Sequence, residues 1–317
     1  MNFRVFDLHC DTALALLGSD GTGTGSLRRN ELHIDLTRAA ALPGYAQCFA
    51  CFTTPGIEAW HGLPAQALFQ QELAGIRREV ENCGDLIRFA ASGGEVERNR
   101  NAGKCSAILT IEGPAGFGFD PGRLEDLHRM GFRISTLGWN EDNVLSGSHV
   151  TGGGLTDLGR VYVREAQALG ILIDVSHLSD QGFWDLMEIT QGPILATHSN
   201  SRAVHPVSRN LTDDMFRTIC RTGGVAGINL YSDFIGENAD LNRVCDHIFH
   251  FLELDPTGSH IALGGDLDGC DRLPVGFAGI QDYPKLARCL LERGLDETTV
   301  HKIFWDNAIG VMNRCCM

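Results

Sequence analysis

Six side chains able to bind a metal or move a proton stand at the ends of apolar runs: His9 and Asp11 in DLHCDT, Glu112 in LTIEG, His177 in IDVSH, His198 in LATHS and Asp266 in ALGGD. Neutral imidazole and carboxylate oxygen are suitable zinc ligands, and a carboxylate can bridge two ions with its two oxygens. Three His, one Asp and a shared Glu suffice for two zinc ions with open positions for water, whose pKa such Lewis acids lower towards neutrality. Taken singly, each His reads more readily as a hydrogen-bonded core or surface residue. Taken jointly the reading reverses, because unpaired charged groups at the strand ends of one core are costly to bury without metal or partners.

These groups lie far apart in the chain, so the fold must gather them. Apolar, β-branched runs alternate with longer amphipathic segments, the pattern of repeated βα units and a parallel sheet. Eight runs read as strands: FRVFDLH, AQCFACF, SAILTIE, FRISTLGW, ILIDVSH, PILATHS, GVAGINLY and IALGGD. Helical patterns between them cover Trp60 to Asn82, Thr156 to Leu169, Ser179 to Thr190, Thr212 to Arg221, Leu241 to Leu252 and Tyr283 to Arg293, with Ser179 and Thr212 placed as N-caps. The expectation is an α/β protein, a (β/α)8 TIM-type barrel forming one domain over 1–317, with its metal site at the C-terminal face of the strands.

Composition narrows the function. The 26 Lys and Arg against 40 Asp and Glu give a net charge of −14, which repels phosphate backbones and anionic lipid, so neither nucleic acid nor a membrane is an expected partner. The start, MNFRVFDLHCDTALALL, is interrupted by Asp7, His9 and Asp11 and does not read as a leader, nor is any apolar stretch long enough to span a membrane. A cytoplasmic location is expected, with the 11 cysteines as reduced thiols. Cys48 and Cys51 form a CxxC inside an apolar run and read as buried thiols, not as a redox or zinc pair. The segment GSDGTGTG, Gly18 to Gly25, lacks the Gly-Lys-Ser/Thr ending of a phosphate loop and reads as a flexible active-site loop.

The segments FDLHCDT, LTIEG, IDVSHLSDQGFWDLM, PILATHSNSRAVHPVSRNLTDD, GGVAGINLY and IALGGDLDG resemble, in order and spacing, the motifs of the membrane dipeptidase family, zinc enzymes that hydrolyse dipeptides. The resemblance runs from Asp7 to about Asn307. It implies two zinc ions per chain, His9 and Asp11 on one, His177 and His198 on the other, and Glu112 bridging. Asp266 matches the proton-transfer residue, with a zinc ligand or loop cap as its plainer reading. Arg209 matches the clamp on the substrate carboxylate, a task suited to a guanidinium fork; by position alone it is a surface Arg near a helix start. Tyr231 is a weaker substrate contact, equally a packed strand residue. The family leaves a homodimer open.

One position departs from the family. Where it carries a substrate-contacting His, STLGWNEDN places Trp139, followed by Asn140. Strand parity allows only one of the two to face the barrel mouth. Asn140 is expected there as a donor to the scissile carbonyl, with Trp139 packed outward against the helices; the alternative puts Trp139 in the substrate pocket. A small dipeptide is the expected substrate. Other readings are the same metal barrel acting on another amide, lactam or ester, and a barrel that binds metal or peptide without turnover.

Overall fold

Each of the eight runs read as strands forms one in the computed structural model, which describes residues 3–18 and 25–315. The strands are β1 (Val5–Cys10), β2 (Tyr45–Phe52), β3 (Ile87–Phe89), β4 (Cys105–Glu112), β5 (Phe132–Thr136), β6 (Leu172–Asp174), β7 (Ile194–Ala196), β8 (Val225–Ile228) and β9 (Ile261–Leu263). All pairings among them are parallel. β2 pairs directly with β4, and β9 pairs back to β1 through Asp7 opposite Leu263, which closes an eight-stranded ring. The extra strand, β3, sits outside the ring against β4. Its three residues are mostly exposed and carry no alternation that the sequence could show.

Alternation along the strands builds two cores. Phe6, Leu8, Ile108, Ile134, Leu172 and Leu195 fill the barrel interior, where Trp305, Val311 and Met312 close its N-terminal end. Val5, Phe49, Leu109, Ile173 and Ile261 face outward into the layer shared with the helices. Cys48 belongs to the inner set and Cys51 to the outer, so strand parity turns the two buried thiols of the CxxC to opposite faces. The seam from β7 to β9 is tight: a Cβ at Gly227 or Gly264 would stand 2.0 or 1.7 Å from the carbonyl oxygen of Thr197.

Helices follow the strands, and their starts match the side chains expected to cap them. Ser179 Oγ accepts from Gly182 N at 2.8 Å and Thr212 Oγ1 from Met215 N at 3.2 Å, satisfying amides that the first turn leaves without carbonyls. The expected helix from Trp60 to Asn82 is instead two, Glu58–His61 and Ala65–Asn82. Gly62, left-handed at φ 78°, and Pro64, extended, separate them, because proline disfavours the helical conformation in the residue before it. The loop expected at Gly18 to Gly25 falls, at 19–24, outside the described residues. No helix among the described residues is long and apolar enough to cross a membrane.

Candidate metal centre

His9 reaches the barrel interior through an irregularity. Asp7 stands opposite Gln47 and Cys10 opposite Phe49, so β1 holds one residue more than β2 over this stretch. With Phe6 and Leu8 inward, strict alternation would send His9 out; the bulge turns Cys10 out and His9 in, as bulges at barrel rims do. The freed backbone is satisfied by Asp7, whose Oδ1 accepts from His9 N and Gly265 N, each at 3.0 Å. The Tyr283 hydroxyl donates to the other oxygen of Asp7.

Glu112, inward like Ile108 four residues before it, lies among three imidazoles. Its Oε2 is 3.2 Å from His9 Nε2, and its Oε1 is 2.9 Å from His177 Nε2 and 3.7 Å from His198 Nε2. The far nitrogens fix the tautomers. His177 Nδ1 meets Asn140 Oδ1 at 3.0 Å, an acceptor only, so that nitrogen carries the proton. Thr197 Oγ1 donates to Asp174 and therefore accepts from His198 Nδ1 at 2.8 Å. Both Nε2 atoms thus carry lone pairs, and they face each other at 3.0 Å beside a carboxylate.

Such an arrangement is repulsive unless a cation, or a proton shared with Glu112, lies among the lone pairs. Two further buried atoms point the same way, since His9 Nε2 and Asp11 Oδ1 have no hydrogen-bond partner among the described residues. Ligand atoms of His9, Glu112 and His198 lie within 4.8 Å of one another, as do those of His9, Asp11 and Asp266. The residues present therefore fit a metal centre of mixed nitrogen and oxygen donors. Without metal, burial pushes the Glu112 carboxyl up to about 8 against the pull of His9, and holds His177 and His198 well below the ordinary histidine range.

Asp266 stands at the rim after β9 with φ 57°, in the left-handed region. Its Oδ1 is 3.8 Å from His9 Nε2, and its Oδ2 accepts from Asn229 Nδ2 at 3.0 Å. Burial raises its pKa, opposed by His9. Asn229 escaped the sequence reading, although it is a polar residue just past the apolar strand VAGI, the same signal that marked the other site residues.

Arg209 is only 4% exposed. Nη1 donates to Ser199 Oγ at 2.6 Å, and the guanidinium lies 5.6 Å from the ring centre of Phe234. Its Nε and Nη2 have no partner among the described residues. A buried cation with idle donors is a receptor for an anion.

Asn140 and Trp139 both lie past the end of β5 at Thr136, so strand parity does not choose between them. Asn140 Oδ1 takes His177 on one side and His149 Nε2, at 2.9 Å, on the other; its oxygen orients imidazoles. Trp139 differs from the expectation of outward packing: half-buried, its ring centre is 5.2 Å from that of Phe52 and 6.2 Å from that of His177. Tyr231 is not brought to the metal cluster. Its ring packs on Phe234 and its hydroxyl faces Asp233 and Arg272. A cavity of about 830 Å³ beside this rim, lined by His33, His205, Asp233 and Arg272 among others, contains none of the metal-centre residues.

Comparison with known proteins agrees with this geometry. The chain is 31% identical over 267 residues to an uncharacterised protein of Klebsiella pneumoniae, covering 80% of this chain and 97% of that one. It is 34% identical over 213 residues to an uncharacterised dipeptidase of Schizosaccharomyces pombe, covering 65% of this chain but about half, 52%, of the yeast protein. A metallopeptidase of Rhodobacter sphaeroides, solved with a phosphinate mimic of the dipeptide L-Ala-D-Ala, superposes with a TM-score of 0.88 at 26% identity, covering 99% of this chain and 100% of that one. The family model for membrane dipeptidases, peptidase family M19, matches residues 1–315. Closed barrel, buried imidazole–carboxylate cluster and whole-length match lead to one conclusion: the chain belongs to the membrane dipeptidase family.

Proposed function

We propose that the chain is a metallo-dipeptidase, one barrel domain over 1–317 that holds two zinc ions and hydrolyses small dipeptides. The observation that carries this reading is the pair of Nε2 lone pairs on His177 and His198, 3.0 Å apart beside Glu112. A cation held among these atoms makes that packing favourable; when metal is stripped, a proton on Glu112, 2.9 Å from His177 Nε2, takes over part of that role. His9 and Asp11 would hold one ion, His177 and His198 the other, and Glu112 would span both, one oxygen to each side. When bound, such ions supply Lewis acidity to water and to a carbonyl oxygen.

The chain's own residues do the rest. Arg209 binds the substrate's terminal carboxylate with Nε and Nη2, the donors it does not use internally. Asp266, held at Oδ2 by Asn229, takes a proton from the attacking water at its free Oδ1 and returns it to the leaving amine nitrogen. Asn140 and Thr197 fix the tautomers of His177 and His198, the supporting role that keeps ligand nitrogens aimed. Trp139 contacts substrate from the β5 side, and Tyr231 contributes through the ring packing that supports Phe234 under Arg209. A cytoplasmic setting, supported by buried thiols such as Cys10 and Cys51, and a homodimer belong to the same proposal.

Trp139, in place of a polar side chain beside His177, is the observation favouring a second reading, the same centre acting on another amide, lactam or ester. Zinc content of the purified protein, together with hydrolysis of a dipeptide panel, separates the readings. Two zinc ions with turnover of dipeptides is the expected result; two zinc ions without it selects the second reading or a binding protein.

A further inference from the structure

The barrel mouth carries an apolar wall that the metal chemistry does not use. Phe52, Leu17, Ile57 and Leu68 form a cluster separate from both main cores, with Trp139 packed against it. Trp60 stands over this cluster at 56% exposure. Its ring centre is 6.3 Å from that of Trp139 and 6.0 Å from that of Phe52. Trp139 in turn is 6.2 Å from the His177 ring, so the wall is continuous with the metal centre. The Thr54 hydroxyl donates to Glu141, fastening the segment after β2, whose short helix Glu58–His61 bears Trp60, to the loop after β5, which bears Trp139.

Barrel order says which end of a substrate meets this wall. Around the ring, β2, β4 and β5 are consecutive, and β7 and β8 lie across from them. Phe52 and Trp139 stand on the first side. Arg209 is held on the other, by Ser199 after β7 and Phe234 after β8. A dipeptide with its carboxylate on Arg209 and its peptide bond over the metal centre therefore directs its N-terminal residue to the tryptophans. We propose that Phe52, Trp60 and Trp139 form the subsite for the side chain of the substrate's N-terminal residue, and that it selects large apolar, above all aromatic, side chains. This rests on the dipeptidase reading above. The wall itself is built from uncharged side chains, Phe52, Ile57, Leu68, Trp60 and Trp139, which suits an apolar side chain better than a cationic one.

The test compares phenylalanyl-, leucyl-, alanyl- and lysyl-glycine in the metal-loaded protein and in Trp60→Ala, whose exposed position keeps the fold intact, with Trp139→Ala as a second variant. The unaltered chain should favour phenylalanyl- over alanyl-glycine in kcat/KM by about 10-fold or more, the usual worth of a filled apolar pocket. In Trp60→Ala that ratio should fall towards one. A series varying the C-terminal residue, alanyl-glycine to alanyl-phenylalanine, should not change its ratios. The proposal is overturned by an unchanged ratio, by a shift confined to the C-terminal series, by preference for the lysyl substrate, or by a Trp60→Ala effect on oligomeric state alone. If the unaltered chain cleaves no dipeptide, the dipeptidase reading fails separately. The subsite is then decided by tryptophan fluorescence titration with phosphinate mimics of Phe-Ala and Ala-Ala: tighter binding of the first supports it, equal binding removes it.

Discussion

The amide oxygen of Asn140 lies 3.0 Å from Nδ1 of His177 and 2.9 Å from Nε2 of His149, so the oxygen of a residue expected from sequence to donate to substrate is engaged as an acceptor behind His177, the proposed metal ligand. Asn140→Ala should lower metal affinity by about 10- to 100-fold, the usual effect of losing such a partner. Asn140→Asp, which keeps an acceptor oxygen, should restore much of it. Competition against a chromophoric chelator measures both, and full metal retention in Asn140→Ala would return the residue to the substrate side.

Glu112→Gln tests the bridge. With its pKa at about 8, the Glu112 carboxyl of metal-stripped protein is mostly neutral at pH 7, and Gln is close to it in shape and charge. The stripped variant should melt no lower than the stripped parent, yet fail to hold metal, because an amide cannot present two anionic oxygens to two cations. Stoichiometric metal and ordinary turnover in the variant would refute the assignment.

For Asp266→Asn, metal content should largely persist while kcat falls by roughly 10²- to 10⁴-fold, the range for a positioned acid or base. Asn229 can still pair with the amide. Loss of metal as complete as in His177→Ala would make Asp266 a ligand instead, which its 3.8 Å approach to His9 Nε2 makes the outcome to watch.

Arg209→Ala should raise KM for free dipeptides by at least about 30-fold, the lower end for truncating a buried charged hydrogen-bond partner. Amidated dipeptides, lacking the anion, should be affected far less. Equal changes in both substrate sets would take Arg209 out of carboxylate binding.

His247 links acidity to the loops over the site. Its Nδ1 accepts from Ser201 N at 3.1 Å and its Nε2 donates to Ile235 O at 3.0 Å, so only the neutral ring fits, and burial lowers its pKa from 6.5 to about 4. With the folded value below the unfolded one, the unfolded chain binds the proton first. Stability from this group is full above pH 6.5 and is lost as pH falls towards about 4, an effect of roughly 3 kcal/mol. Melting curves across that window should fall less steeply in His247→Gln than in the parent; identical slopes would show that His247 does not titrate with unfolding.

The sequence by itself determined the ring of strands, the capped helix starts at Ser179 and Thr212, and the polar residues at strand ends. Those signals are local: a period of two in burial, a hydroxyl before a helical run, a charged group where an apolar run stops. Orientation at the site is decided by register and by partners far away in the chain. His9 faces inward only because β1 carries an extra residue, and that bulge is held by Asp7 together with Tyr283, 276 positions on. Asn140, His149 and Asn229 take their roles from contacts made once the loops are laid over a closed barrel. Trp139 likewise finds Phe52 and Trp60 only through the juxtaposition of β2 and β5 across β4. A linear pattern records which residues avoid water; which atoms face each other across the mouth follows from ring closure, and only the tertiary structure supplies it.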